Sequence, residues 1–85
     1  MEIFYSSRFL LKYEKLPKEV KEKAEKQEKI FRKNPFDPRL KTHKLQRKLN
    51  KCWAFSIDFQ YRIVFGFEDC NVIKFYSIGG HSIYS

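Results

Sequence analysis

The hydrophobic periodicity of this chain changes once, and that change limits what it can become. Up to about residue 33 the apolar residues recur at helical spacing, as in Val20, Ala24, Gln27 and Phe31. From residue 53 they recur every second residue. Trp53, Phe55, Ile57 and Phe59 alternate with Cys52, Ala54, Ser56 and Asp58, and Tyr61, Ile63, Phe65 and Phe67 alternate with Arg62, Val64, Gly66 and Glu68. A 3.6-residue period reads as an amphipathic helix and a period of two as a strand with one buried face. Helices first and strands after, within 85 residues, give an α+β domain: a two-helix hairpin packed on one face of a small antiparallel sheet. The whole chain, 1–85, reads as one domain, since two cores would not fit in this length.

Local signals place the boundaries. Glu2 to Tyr5 reads as a short first strand, and Ser6 or Ser7 can cap a helix carrying Phe9, Leu10 and Tyr13 on one face. Pro17 suits the first turn of a second helix, where its missing N–H costs nothing. Asn34-Pro35 ends that helix, because a residue before proline avoids the helical region. A turn at residues 68–71 leads to a last strand, Val72 to Ser77, and Gly79-Gly80 reads as a reversal after it. The large apolar residues face the helices. The opposite face, with Ala54, Ser56, Asp58, Arg62, Gly66 and Lys74, reads as open to a partner.

Charge narrows the partner. The chain carries a formal net charge of +8, and its middle concentrates it: Arg39, Lys41, Lys44, Arg47, Lys48 and Lys51 stand against Asp37 alone in residues 35–52. Such a segment either attracts a polyanion, nucleic acid being the commonest, or is a solvated surface. No apolar run approaches the length of a membrane span, and no signal-peptide pattern opens the chain, so a soluble cytoplasmic domain is expected. Cys52 and Cys70 have no Cys-x-x-Cys partner and read as buried or half-buried free thiols, so no metal or cofactor is expected. No glycine-rich phosphate loop or nucleophile elbow is present.

The remaining reactive residues are His43, Arg62, His81 and Tyr84 with the lysines around them. That set suits metal-free RNA cleavage: histidine moves protons near neutral pH and arginine holds two phosphate oxygens. Each also has a plainer reading. Arg62 can pair with Asp58, Tyr84 can pack its ring, and a lone histidine is more often a hydrogen-bonded structural residue.

Four strings carry a resemblance. They are Asn34-Pro35-Phe36-Asp37-Pro38-Arg39-Leu40-Lys41-Thr42-His43-Lys44-Leu45, then Trp53-Ala54-Phe55-Ser56-Ile57, then Tyr61-Arg62-Ile63-Val64-Phe65, and finally Ile78-Gly79-Gly80-His81-Ser82-Ile83-Tyr84. In this order and spacing they resemble the RelE/ParE superfamily of type II toxins, closest to the RelE/StbE group with YafQ-like features. The resemblance implies a ribosome-dependent endoribonuclease (an mRNA interferase) that cuts mRNA in the A site, and a cognate antitoxin, expected to be acidic, that blocks it. It implies that Arg62 binds phosphate, that His81 is the general acid, and that His43 supports the chemistry. It also implies a looser role for Tyr84. Lys41, Lys44, Arg47, Lys48, Lys51 and Lys74 are the basic residues expected to meet nucleic acid. Ile57 and Tyr61 stand where YafQ-like members carry a histidine and an aspartate, so the implied active site is a reduced one. Direct DNA binding is not expected. The alternatives from the same family are a ParE-like toxin that inhibits gyrase without cutting RNA, and an inactive member that only binds RNA or antitoxin.

Overall fold

The structure is a computed structural model that describes residues 1–45 and 52–80. The elements run β1 (Glu2–Tyr5), α1 (Ser7–Glu14), α2 (Lys18–Lys33), a short 3-10 turn (Pro38–Leu40), β2 (His43–Lys44), β3 (Trp53–Ser56), β4 (Arg62–Asp69) and β5 (Val72–Gly79). Ser6 caps α1: its Oγ accepts from Phe9 N at 3.0 Å and donates to Tyr76 O at 2.8 Å. One side chain thus satisfies an orphan donor of the helix and ties that helix to β5. Pro17 stands just before α2 rather than inside it, and its carbonyl accepts from Val20 and Lys21. Asn34 is extended before Pro35, as the proline rule requires.

The apolar stripe of α2 does what its spacing implies. Val20, Ala24 and Phe31 are buried. Phe31 stacks on Phe55 at 4.8 Å and meets the edges of Phe65 and Phe75 at 4.9 and 5.5 Å. Gln27 lies on the same stripe and donates to the backbone of Ser56 at 2.9 Å and of Arg39 at 3.3 Å. Ile57 is buried and Tyr61 packs against the core, as their odd-numbered places imply.

The sheet has five strands in the order β1-β5-β4-β3-β2. It is mixed rather than purely antiparallel. β1 runs parallel to β5, with Ile3 opposite Ile73 and Tyr5 opposite Phe75. A strand followed by a helical hairpin can return to lie beside a distant parallel strand, and nothing in a four-residue sequence sets that direction. The remaining pairings are antiparallel.

β5 is longer than its alternation suggests. Val64 faces Ser77 but Phe65 faces Phe75, so Tyr76 is an extra residue on β5. Such a bulge shifts the side-chain phase by one. It lets Phe75 and Ile78, three residues apart, both enter the core, where they are 0% and 1% exposed. β3 ends earlier than its alternation suggests. Residues 57–60 form a loop, and Phe59 stands 85% exposed instead of joining the core. Gly79 belongs to β5, and no described glycine has positive φ, so the Gly-Gly pair is no left-handed reversal.

Candidate functional site

The sheet face away from the helices is less open than expected. Leu45, Ala54 and Val64 form a second small core there, with Cys52 and Tyr76 packed on it. Ala54 is fully buried and Ser56 nearly so. Tyr76 lies down across Gly66, where an added Cβ would come within 2.8 Å of its ring. Glycine at 66 is therefore what lets the bulged tyrosine cover this part of the sheet. The Tyr76 hydroxyl donates to the Glu68 carboxylate, and that bond, with burial, pushes its pKa up to about 12. Burial and the nearby Glu68 also push the Cys52 thiol up. Cys70 is exposed rather than half-buried, because it sits in the β4–β5 turn.

The other end of this face centres on Arg62, which is half-buried. Arg62 opens β4, with Ser56 opposite it on one side and Gly79 on the other. Its Nη1 donates to Asp58 O at 2.9 Å and Tyr61 O at 3.3 Å. Among the described residues no acceptor meets Nε or Nη2. The plainer reading of Arg62, an ion pair with Asp58, is replaced by bonds to backbone carbonyls that leave the guanidinium charge uncompensated. The Asp58 carboxylate has another task. Its Oδ1 accepts from the backbone of Gln60 and Tyr61, both at 2.8 Å, and its Oδ2 meets Lys23 Nζ at 3.5 Å. Burial pushes the Asp58 carboxyl up, but those two N–H groups and Lys23 outweigh it and hold the carboxyl below its usual 3.8.

This makes the loop that positions Arg62 sensitive to acid. Asp37 behaves likewise: its side-chain bonds to Arg39, at 2.9–3.0 Å, hold its carboxyl down to about 2. A carboxyl with a folded pKa below its unfolded value adds stability that is complete above the unfolded value and is lost as pH falls through the folded one. Stability against urea should therefore be flat from pH 7 to 5 and fall between about pH 4 and 2. Asp58→Asn should flatten part of that fall at any salt concentration. The part from Asp37, whose partner Arg39 is exposed, should shrink in 1 M salt, where the screening length is about 3 Å.

His43 lies on the same face as Arg62. It pairs with Ala54, Ala54 with Val64, and Val64 is two residues from Arg62. Standard sheet spacings put the two Cα atoms roughly 12 Å apart, a gap their side chains can close on a phosphodiester. Lys41 aims the histidine. It adopts φ 52°, the one positive φ among described non-glycine residues, and its carbonyl meets His43 Nδ1 at 3.1 Å. Holding a lysine there costs about 1 kcal/mol, so the turn is set by its surroundings. Lys44 pairs with Trp53 and points to the opposite face from His43. Lys74 is on the open face beside Gly66, roughly 13 Å along the sheet from Arg62. Arg47, Lys48, Lys51, His81 and Tyr84 lie outside the described residues. Among the described residues, no three His, Cys, Asp or Glu side chains gather as metal ligands, and no helix is long and apolar enough to cross a membrane.

The sequence reading missed two features of this end. Ser77 places its Oγ in the floor of the face, buried and without a hydrogen bond among the described residues, and only the bulge at Tyr76 puts it there. Phe59 projects from the loop that holds Arg62. Its run of alternating neighbours pointed to the core, and the adjacent Asp58, a turn former, was the signal for the loop.

No protein-family model matches the chain, and neither does any curated protein sequence. Solved structures do. YafQ from E. coli superposes with a TM-score of 0.80 at 17% identity, over 96% of this chain and 94% of that one. The YoeB/ParE toxin from Agrobacterium tumefaciens gives 0.81 at 16% identity, over 95% and 99%. The E. coli DinJ-YafQ toxin-antitoxin complex gives 0.78 at 16% identity, over 96% and 93%. The fold of this chain is the one these toxins share, the RelE/ParE toxin fold that its residue strings resemble.

Proposed function

We propose that the chain is the toxin of a type II toxin-antitoxin system and a metal-independent endoribonuclease that cuts mRNA in the ribosomal A site. The observation that carries this reading is Arg62. Among the described residues its guanidinium is anchored through Nη1 alone, with His43 on the same face and β5 leaving the sheet directly opposite, at Gly79, two residues before His81 in the chain.

In the reaction, the 2′-oxygen of one nucleotide attacks the adjacent phosphorus and loses its proton. The bond to the 5′-oxygen breaks, and that oxygen takes up a proton. Arg62 offers Nε and Nη2 to the phosphate oxygens, whose charge grows in the transition state. His81 donates the proton to the leaving 5′-oxygen. His43 receives or orients the 2′-hydroxyl proton, and Tyr84 supports the site. The lysines at 41, 44, 48, 51 and 74 and Arg47 supply phosphate contacts to mRNA and ribosomal RNA. The acid-base pair then works near neutral pH, where histidine can serve in either role.

The proposed partner is an acidic antitoxin. The charge of +8 supports it, as does the likeness to YafQ, which forms a toxin-antitoxin complex with DinJ. The proposed site of action is the cytoplasm, where ribosomes are.

The test adds purified, antitoxin-free protein to ribosomes paused on a defined mRNA and maps ends by primer extension. Cuts in the A-site codon are expected, reduced about 10²-fold or more in His81→Ala. Cuts that persist in the variant move the proton donor to His43 or Tyr84. No cuts from folded wild-type protein refute the nuclease, and supercoiling by gyrase becomes the assay for a ParE-like toxin.

A further inference from the structure

Phe59 is the most exposed large apolar side chain described, at 85%, yet it sits on a loop with little freedom. The Asp58 carboxylate accepts from the two residues after Phe59, and Ile57 N donates to Tyr61 O at 2.9 Å across the loop base. The ring is thus held out in water by a turn that these bonds brace. Its position is also tied to the site. The Asp58 carbonyl that accepts from Arg62 Nη1 belongs to the peptide joining Asp58 to Phe59. Covalent geometry then keeps the Phe59 Cα within roughly 6 Å of that guanidinium nitrogen. Lys23 reaches the same loop through Asp58.

The surroundings of the ring identify its occupant. Protein interfaces bury a contiguous apolar patch. The described protein has such a patch elsewhere, in Phe36, Trp53 and Phe67, which contact one another at 5.4–6.1 Å. Phe59 instead stands singly among Asp58, Gln60, Arg62 and Lys23. A lone aromatic face beside cationic groups is the composition of a site for single-stranded nucleic acid, in which a base stacks and the neighbouring phosphate pairs with a cation. Resting on the RNA-cleaving reading above, we infer that Phe59 stacks on the nucleobase next to the phosphate held by Arg62, and so sets which nucleotide step is presented for cleavage.

Stacking tolerates any base but favours purines with their larger faces, so the step chosen should carry a purine at that position. A 2′-O-methylated RNA octamer with one 2-aminopurine tests this, because it binds without being cut and its fluorescence is quenched on stacking. The full chain is titrated with it as wild type, Phe59→Ser, Phe59→Trp and Arg62→Gln. Phe59→Ser should weaken binding about 5- to 100-fold and abolish the protein-induced quench, while Phe59→Trp keeps both. The slope of log K against log salt should not change in Phe59→Ser, since no charge is lost, and should fall by about 0.7 in Arg62→Gln. Equal affinity for wild type and Phe59→Ser, with Arg62→Gln weakened, overturns the role of Phe59 and leaves the RNA reading standing. Absence of binding by wild type at any salt overturns the stacking inference, while the RNA-cleaving reading stands or falls on the cleavage assay with ribosomes. A wild-type dimer that Phe59→Ser dissociates makes the ring a contact between two copies and also overturns the inference.

Discussion

Arg62→Lys cuts ribosome-bound mRNA about 10²- to 10³-fold more slowly than wild type while binding RNA with nearly unchanged salt dependence. This result is expected because the substitution keeps a positive charge and removes a planar fork. Arg62 Nη1 is spent on the carbonyls of Asp58 and Tyr61, so only Nε and Nη2 remain to hold two phosphate oxygens at once. A lysine ammonium on a flexible stem cannot bond both carbonyls and still span the phosphate. Loss of one preorganised donor to a developing oxyanion costs about 10²- to 10³-fold in rate. Single-turnover cleavage separates this from binding. An Arg62→Lys protein that cuts at the wild-type rate would show that another group neutralises the transition state. A matched thermal midpoint for variant and wild type keeps the comparison clean.

The largest effect on stability belongs to Phe31. It is fully buried, and rings from three strands converge on it: Phe55 from β3, Phe65 from β4 and Phe75 from β5. Phe31→Ala removes the only α2 ring in this cluster and leaves a cavity that the three remaining rigid aromatics cannot easily close. Truncating a buried phenylalanine costs about 3–5 kcal/mol. Small domains hold only about 5–15 kcal/mol in total, so the variant sits at the edge of folding. At roughly 4–8 °C per kcal/mol, its midpoint should drop by more than 10 °C. Urea unfolding followed by near-ultraviolet circular dichroism measures this directly. Phe31→Leu, which refills much of the volume, should recover a large part. A loss below about 1 kcal/mol in Phe31→Ala would mean that the helix hairpin, rather than this ring, holds the layers together.

Most of what positions the site was legible. Ser6 as a cap, the buried stripe on α2, the stop at Asn34-Pro35 and the placing of Arg62 away from the core all follow from spacing and backbone chemistry within a few residues. The errors share a different origin. Phe59 was assigned to the core because alternation carries no mark of where a strand stops. Ala54 and Ser56 were assigned to an open face because small side chains do not reveal what lies on them. Here Leu45 and the bulged Tyr76 supply the cover for Ala54, and Gly66 leaves room for that ring. Charge counted along the chain puts Lys41 and Lys44 in one basic segment around His43, whereas pairing with β3 sends Lys44 and His43 to opposite faces.

The sequence by itself determined the layer order, the helix ends and the helix-facing side of the strand centres at Phe55, Ile63, Phe65, Ile73 and Phe75. These depend on hydrophobic period and capping, which act over one or two turns of chain. Only the tertiary structure decided that β1 joins β5 in parallel, that β5 bulges at Tyr76 to bring both Phe75 and Ile78 inward, and that Arg62 is anchored by loop carbonyls instead of an aspartate. Those outcomes depend on which distant backbone groups meet and must be paired once water is excluded, and no local pattern specifies that.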